Sequence, residues 1–291
     1  MTHFKQVDYG KLLPPADADV LRELEQEYGQ LKRYFRPDRI ITFEIGPEPS
    51  FFLGKMNHVV GLCLPDVEEL PASLVKLTML KVLHLHNYRP TTLPEWFDTF
   101  DLFELDIKRS NLTSFPQVLL QMKNLDHLGI TYSPILEIPN EIGSLYSLRS
   151  LYLVSLGLSE LPDNIGNLAN LITLSVIRNN LTCLPESIVK LERLEELLVS
   201  SNKITHLPDS IGNLVNLIRL RADKNDLTSL PESIVKLERL EFLHVEQNNL
   251  LSLPDFLDNT IILADRPTEY NKGIPKSSHR TKYTKVSLGL R

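Results

Sequence analysis

A Leu-Pro pair, or a close variant of it, returns every 22 or 23 residues: Leu70, Leu93, Phe115, Ile138, Leu161, Leu184, Leu207, Leu230 and Leu253 each precede a proline. A unit of this length is one supersecondary element that cannot bury its apolar side alone, so successive units must stack. In the unit starting at Leu161, residues 171 to 181 read L-x-x-L-x-L-x-x-N-x-L, with Val176 in the third leucine slot. Leu174 and Val176 are apolar at a period of two, which makes this segment a short strand with alternate side chains inward. Upstream, Pro162 opens a helical turn, and Ile165 and Leu168 are spaced by three, as one buried stripe requires.

Each unit is therefore a strand followed by a short helix or 3₁₀ turn. The fold class is an α/β solenoid, with nine strands near residues 60, 82, 104, 127, 150, 173, 196, 219 and 242. Parallel strands about 4.8 Å apart give a sheet about 40 Å long. The bulkier helical side is expected to splay the stack into an arc with the sheet on its concave face. Counting from the first leucine of the motif as slot 1, the outward strand positions are slots 3, 5 and 7, followed by slot 8. Slot 9 is asparagine in four units: Asn179, Asn202, Asn225 and Asn248. A buried amide must be satisfied, and bonds to the backbone of neighbouring turns would form a structural ladder. Earlier units hold Tyr88, Ser110, Ser133 and Leu156 there, so the ladder should be absent and that half less regular.

The pattern LPxxIxxLxxLxxLxLxxNxL resembles the intracellular, Ras-group class of leucine-rich repeat proteins over residues 59–263. The resemblance implies a leucine-rich-repeat arc and a role in binding proteins, with small GTPases or their effectors as a precedent. It identifies no partner, because the matching residues are framework. The domain reading is an N-terminal cap over 1–58, about nine repeats over 59–263, and a C-terminal cap remnant with a basic tail over 264–291. In the cap, residues 17–35 space Val20, Leu24, Tyr28, Leu31 and Phe35 on one helical face, residues 39–45 read as a strand, and "GPEPS" reads as a turn.

Composition narrows the function. With 291 residues, 42% hydrophobic and 23% charged, the chain has material for a core and a soluble surface. No apolar run approaches the roughly 18 residues of a transmembrane segment, and the first residues lack a signal-peptide core. Two cysteines, Cys63 and Cys183, exclude a disulfide framework or a four-cysteine zinc site and suit a reducing, cytoplasmic setting. The last twenty residues carry Lys272, Lys276, Arg280, Lys282, Lys285 and Arg291 and no acid, so removing these six charges from −6 leaves residues 1–271 at −12. A mildly acidic body with a basic tail excludes a reader of duplex DNA. The tail reads as flexible and solvated.

Residues 161–206 and 207–252 are two-unit blocks with 29 identities in 46 positions. All eight positions in slots 3, 5, 7 and 8 differ: Thr173/Arg219, Ser175/Arg221, Ile177/Asp223, Arg178/Lys224, Glu196/Phe242, Leu198/His244, Ser200/Glu246 and Ser201/Gln247. The framework was copied and the outward face rewritten. Drift at exposed positions would do the same, yet "ESIVKLERLE", equally rich in charge, did not drift. The expected partner-binding face is Tyr132, Tyr152, Val154, Ile177, Arg178, Leu198, Arg219, Arg221, Asp223, Lys224, Phe242 and His244, where aromatic and aliphatic anchors sit beside arginines.

One polar row competes. Cys63, His84 and Asp106 fall side by side in slot 5, with His86 next along, a set that on paper offers a nucleophile and base or metal ligands. An open sheet supplies no oxyanion donors and excludes no water, so this row reads as polar surface. No phosphate-loop, H-E-x-x-H or G-x-S-x-G motif occurs. The sequence thus reads as a monomeric, cytoplasmic, non-enzymatic scaffold in signalling, with no cofactor and no metal, binding another protein on its sheet. The rival readings are a structural or regulatory module acting through its convex face or tail, and an enzyme or metal protein using the Cys63 row.

Overall fold

The computed structural model describes Tyr9 and residues 12–35, 48–252 and 261–263. The chain divides into two compact units, Met1–Pro134 and Ile135–Arg291.

The N-terminal unit opens with α1 (Pro15–Tyr28), which buries Val20, Leu21 and Leu24. Its apolar stripe suggests a helix running to Phe35, but the helix ends at Tyr28. There Gly29 takes φ 75°, a left-handed conformation that favours glycine, and donates its N–H back to Glu25 O. The residues beyond form β1 (Lys32–Phe35), and β2 (Ser50–Leu53) pairs parallel with it. The strand expected at 39–45 lies outside the described residues. β2 then pairs antiparallel with β3 (Val59–Leu64), the first strand of the repeats. The Asp17 carboxylate accepts the Val59 N–H at 2.7 Å, so a buried side chain of α1 holds the start of this strand. β4 (Val82–His86), β5 (Glu104–Lys108) and β6 (His127–Thr131) continue in parallel.

The C-terminal unit holds β7 (Ser150–Val154), β8 (Thr173–Ser175), β9 (Glu196–Leu198), β10 (Arg219–Arg221), β11 (Phe242–His244) and β12 (Ile261–Leu263) in one parallel succession. β3 to β11 stand at the nine places the period demands.

In both units the core is built from alternation. Leu83 and Leu85, Leu105 and Ile107, Leu128 and Ile130, Leu151 and Leu153, Leu174 and Val176 are all 0% exposed, each pair on one strand except that Val176 directly follows β8. At roughly 1.5–3 kcal/mol for each large apolar side chain fully buried, these pairs are the main reason the units stack. Among the described residues, 3₁₀ turns such as Asp163–Asn167 and Glu186–Lys190 connect the repeat strands. The prolines stand one place earlier than expected. Pro162 is extended (φ −69°, ψ 147°) and precedes the turn, its carbonyl accepting the Ile165 N–H at 3.0 Å.

Two close approaches fix the packing of these turns. A Cβ on Gly166 would lie 2.3 Å from Ser187 O, and one on Gly212 would lie 2.1 Å from Ser233 O. Only hydrogen fits at either place, as at Gly143, where a Cβ would lie 2.4 Å from Asn164 O of the next turn.

At the end of each repeat strand the chain turns through a left-handed residue: Asp66, Asn87, Arg109 and Tyr132 in the first unit, and Ser155, Arg178, Ser201, Lys224 and Gln247 in the second, all with φ between 50° and 58°. None is glycine. Their N–H groups still donate along the ladder, as from Arg178 to Ser200 O and from Lys224 to Glu246 O. Nothing in the residue types announces this conformation.

Candidate functional site

The outward side chains of β7 to β11 form a face of mixed chemistry. Tyr152 and Val154 on β7, Ile177 beyond β8 and Leu198 on β9 are half-buried, each leaning on lateral neighbours while keeping an edge in solvent. Thr173, Ser175 and Ser200 lie among them and are buried. The arginines are held rather than free. Arg219 Nη1 donates to Glu196 Oε1 at 2.5 Å, and its guanidinium lies over the Phe242 ring, 5.1 Å from the centroid. Arg221 Nε stands 3.6 Å from Asp223 Oδ1, and Ser200 Oγ donates to the same oxygen. His244 is depressed, first by burial and then by Arg221, which favours a neutral ring. Arg178 and Lys224 project from the left-handed corners and are exposed. Tyr132 occupies the same kind of corner in the N-terminal unit, 49% exposed.

Behind this face the four asparagines repeat one arrangement. Asn179 Oδ1 accepts the N–H groups of Leu156, Gly157 and Leu158 at 3.0–3.2 Å, and its Nδ2 donates to Leu153 O and Val176 O. Asn202 accepts from Leu181 and donates to Val176 O and Val199 O. Asn225 accepts from Ile204 and donates to Val199 O and Ala222 O. Asn248 accepts from Leu227 and donates to Ala222 O and Val245 O. In the N-terminal unit the same slot holds Tyr88, whose hydroxyl donates to Thr92 O, and a Ser110–Ser133 hydroxyl pair at 2.7 Å.

The outward face of the N-terminal unit differs from expectation. Cys63, His84 and Asp106 do lie in one row, Cys63 opposite His84 and His84 opposite Asp106. They are not open surface. Cys63 is 0%, His84 1% and Asp106 8% exposed. Two residues outside that row complete the group. His84 Nε2 lies 2.8 Å from Glu104 Oε1, and His127 Nε2 lies 3.4 Å from Asp106 Oδ1. Both belong to slot 3, diagonal to slot 5 on the same face. A search of diagonal as well as lateral neighbours would have found them.

Burial tends to raise the Asp106 carboxyl. The His127 hydrogen bond and the charges of His84 and Lys108 outweigh that and hold it at about 2. Burial pushes the Cys63 thiol up to about 11, so it is no thiolate nucleophile at neutral pH. Burial first, and Lys108 next, take His86 down to about 4.

Two family models match the chain: "Leucine-rich repeat region" over residues 136–205 and "Leucine rich repeat" over 192–250. No curated protein matches. Among solved structures, a leucine-rich repeat protein of Leptospira interrogans is 22% identical with TM-score 0.55, covering 87% of this chain and 74% of that one. An internalin from Listeria monocytogenes is 19% identical with TM-score 0.60, covering 74% of this chain and 65% of that one. The plant peptide hormone receptor RGFR1, solved in complex with RGF2, is 24% identical with TM-score 0.61. There the match covers 74% of this chain and 42% of the receptor chain. No helix among the described residues is long and apolar enough to cross a membrane. Inward leucines at a 23-residue period, parallel strands alternating with 3₁₀ turns and these matches agree: the chain has the leucine-rich repeat fold, and residues 136–250 match leucine-rich repeat models.

Proposed function

We propose that the protein is a non-catalytic interaction module whose C-terminal unit docks another protein on its sheet face. The reading rests on one observation: all eight outward and corner positions of β8 to β11 differ between the duplicated blocks, while the blocks share 29 of 46 residues overall and keep every buried leucine. Half-buried Tyr152, Val154, Ile177 and Leu198 supply apolar anchors. The Arg219–Phe242 stack and the Arg221–Asp223 pair supply polar contacts at the rim. A face braced this way loses little ordering entropy on binding.

Within the same proposal the partner is a small GTPase or one of its effectors, the precedent of the class the repeat pattern resembles. The protein then acts as a monomer in cytoplasmic signalling, in keeping with two free thiols. The Tyr152→Glu/Ile177→Glu double variant tests the reading. It should abolish affinity capture of the partner from the native host while thermal stability stays nearly unchanged, and retained capture rejects it. Capture that is instead lost on deletion after Asn271 assigns the contact to the basic tail.

A further inference from the structure

We infer that His84, Glu104 and Asp106 bind one divalent transition-metal ion of the zinc class on the sheet face of the N-terminal unit. Three separate features of the cluster support this, and none depends on the docking face of the C-terminal unit.

The first is geometry. Glu104 and Asp106 are two apart on β5 and so project to one side of the sheet, and β4 sets His84 opposite Asp106. One donor atom from each residue lies within 4.8 Å of the other two. His84 Nε2 stands 2.8 Å from Glu104 Oε1 and 4.0 Å from Asp106 Oδ2. Zinc bonds of about 2.0–2.2 Å in a tetrahedral site separate neighbouring donors by roughly 3.3–3.5 Å. That value falls between the two observed spacings, so small side-chain rotations close the site. Three protein ligands leave a fourth position for water.

The second is charge. His84 and Glu104 are 1% and 2% exposed, and Asp106 is 8% exposed. Nδ1 of His84 is buried without a hydrogen-bond partner. Two buried carboxylates lie against this imidazole, with the Lys108 ammonium 3.5 Å from Asp106 Oδ2. Two carboxylates and an imidazole suit a zinc-class ion, which would add positive charge between the buried acids.

The third is support around the ligands. A Cβ on Gly129 would lie 1.9 Å from Asp106 Oδ1, so the absent side chain makes the room this carboxylate occupies. His127 holds that oxygen from the far side, the outer-shell contact that orients a ligating carboxylate. Lys108, partly exposed, occupies the approach to Asp106 and must swing away as the ion enters. A second group, Asp223, His244 and Glu246, has similar spacing but is only half-buried and serves as the internal control.

The test is titration of the chelator-treated full-length chain with Zn²⁺ by calorimetry and with Co²⁺ by visible absorption, with circular dichroism verifying the fold of every variant. The wild type should take up one ion per chain, and Co²⁺ should give a four-coordinate ligand-field band. Glu104→Gln and Asp106→Asn keep shape and should each abolish the band, while His127→Ala should weaken binding about 10–100-fold. Lys108→Met should tighten binding, an opposite-signed result that misfolding cannot imitate. His244→Ala should leave metal uptake unchanged. Absence of uptake by the wild type, uptake unaltered in Glu104→Gln and Asp106→Asn, or uptake lost in His244→Ala would each overturn the assignment.

Discussion

Replacing Asn179 by alanine should be the most damaging change in the asparagine ladder, and the hydrogen bonds say by how much. Its Oδ1 takes three successive N–H groups, of which Leu156 and Leu158 are buried and Gly157 is half-buried within reach of water. On the donor side, Val176 O also receives Asn202 Nδ2 at 2.9 Å, so it stays paired, whereas Leu153 O loses its amide donor. Two buried donors and one acceptor are therefore stranded. At about 1–3 kcal/mol for each buried group left unpaired, softened where the turn relaxes, the loss is about 3–5 kcal/mol. Asn202→Ala makes the contrast. It strands only the Leu181 N–H, because Val176 O keeps Asn179 and Val199 O keeps Asn225, and the loss is about 1–3 kcal/mol. Urea unfolding followed by far-ultraviolet circular dichroism, at unchanged m, measures both. Equal losses, or a larger loss for Asn202, would refute the reasoning that shared carbonyls protect the inner rungs.

Three further outcomes follow from the same geometry. Gly212→Ala forces a methyl to within 2.1 Å of Ser233 O and should cost about 1–3 kcal/mol, measured by thermal unfolding, although alanine normally favours helical turns. At the left-handed corner, Ser201→Gly should be neutral or stabilising by up to about 1 kcal/mol. Ser201→Val at the same φ of 58° should cost about 1–2 kcal/mol, the two melting temperatures moving apart. His86 is lowered in the fold from 6.5 to about 4, by burial first, then Lys108 and His84, opposed by Asp106. Between those values the unfolded chain binds the extra proton, so acidification from pH 6.5 to 4 removes stability. The loss is on the order of 1 kcal/mol once the part-exposed ring is allowed for, and His86→Gln should flatten that limb of the pH–stability curve.

What the sequence disclosed, and what it withheld, divides along a physical line. Leu174 and Val176, Leu197 and Val199, and their counterparts could be placed because burial demands the same residue class at the same slot in every unit, and repetition multiplies a weak local signal. The non-repeating segment gave no such help. β1 and β2 occur once, and Gly29 ends a helix whose apolar spacing runs on past it.

The left-handed corners at Asp66 through Gln247 were invisible for a different reason. Their conformation is imposed by the ladder bonds on either side of each corner, and arginine, tyrosine, serine, lysine and glutamine all accept it. The polar face was misjudged through geometry. A row of lateral neighbours gives Cys63, His84 and Asp106, but hydrogen bonds on a sheet also run diagonally, and only the diagonal brings Glu104 onto His84 and His127 onto Asp106.

The same diagonal closes the face, since a side chain leaning across to a neighbour's row covers what lies beneath. An outward strand position in this fold is therefore buried where a hydrogen-bonded acid leans in from the diagonal, as Glu104 does on His84. Tyr152 and Leu198, which both meet Ser175 laterally, keep an edge in solvent. His84, set beside Glu104, loses its own.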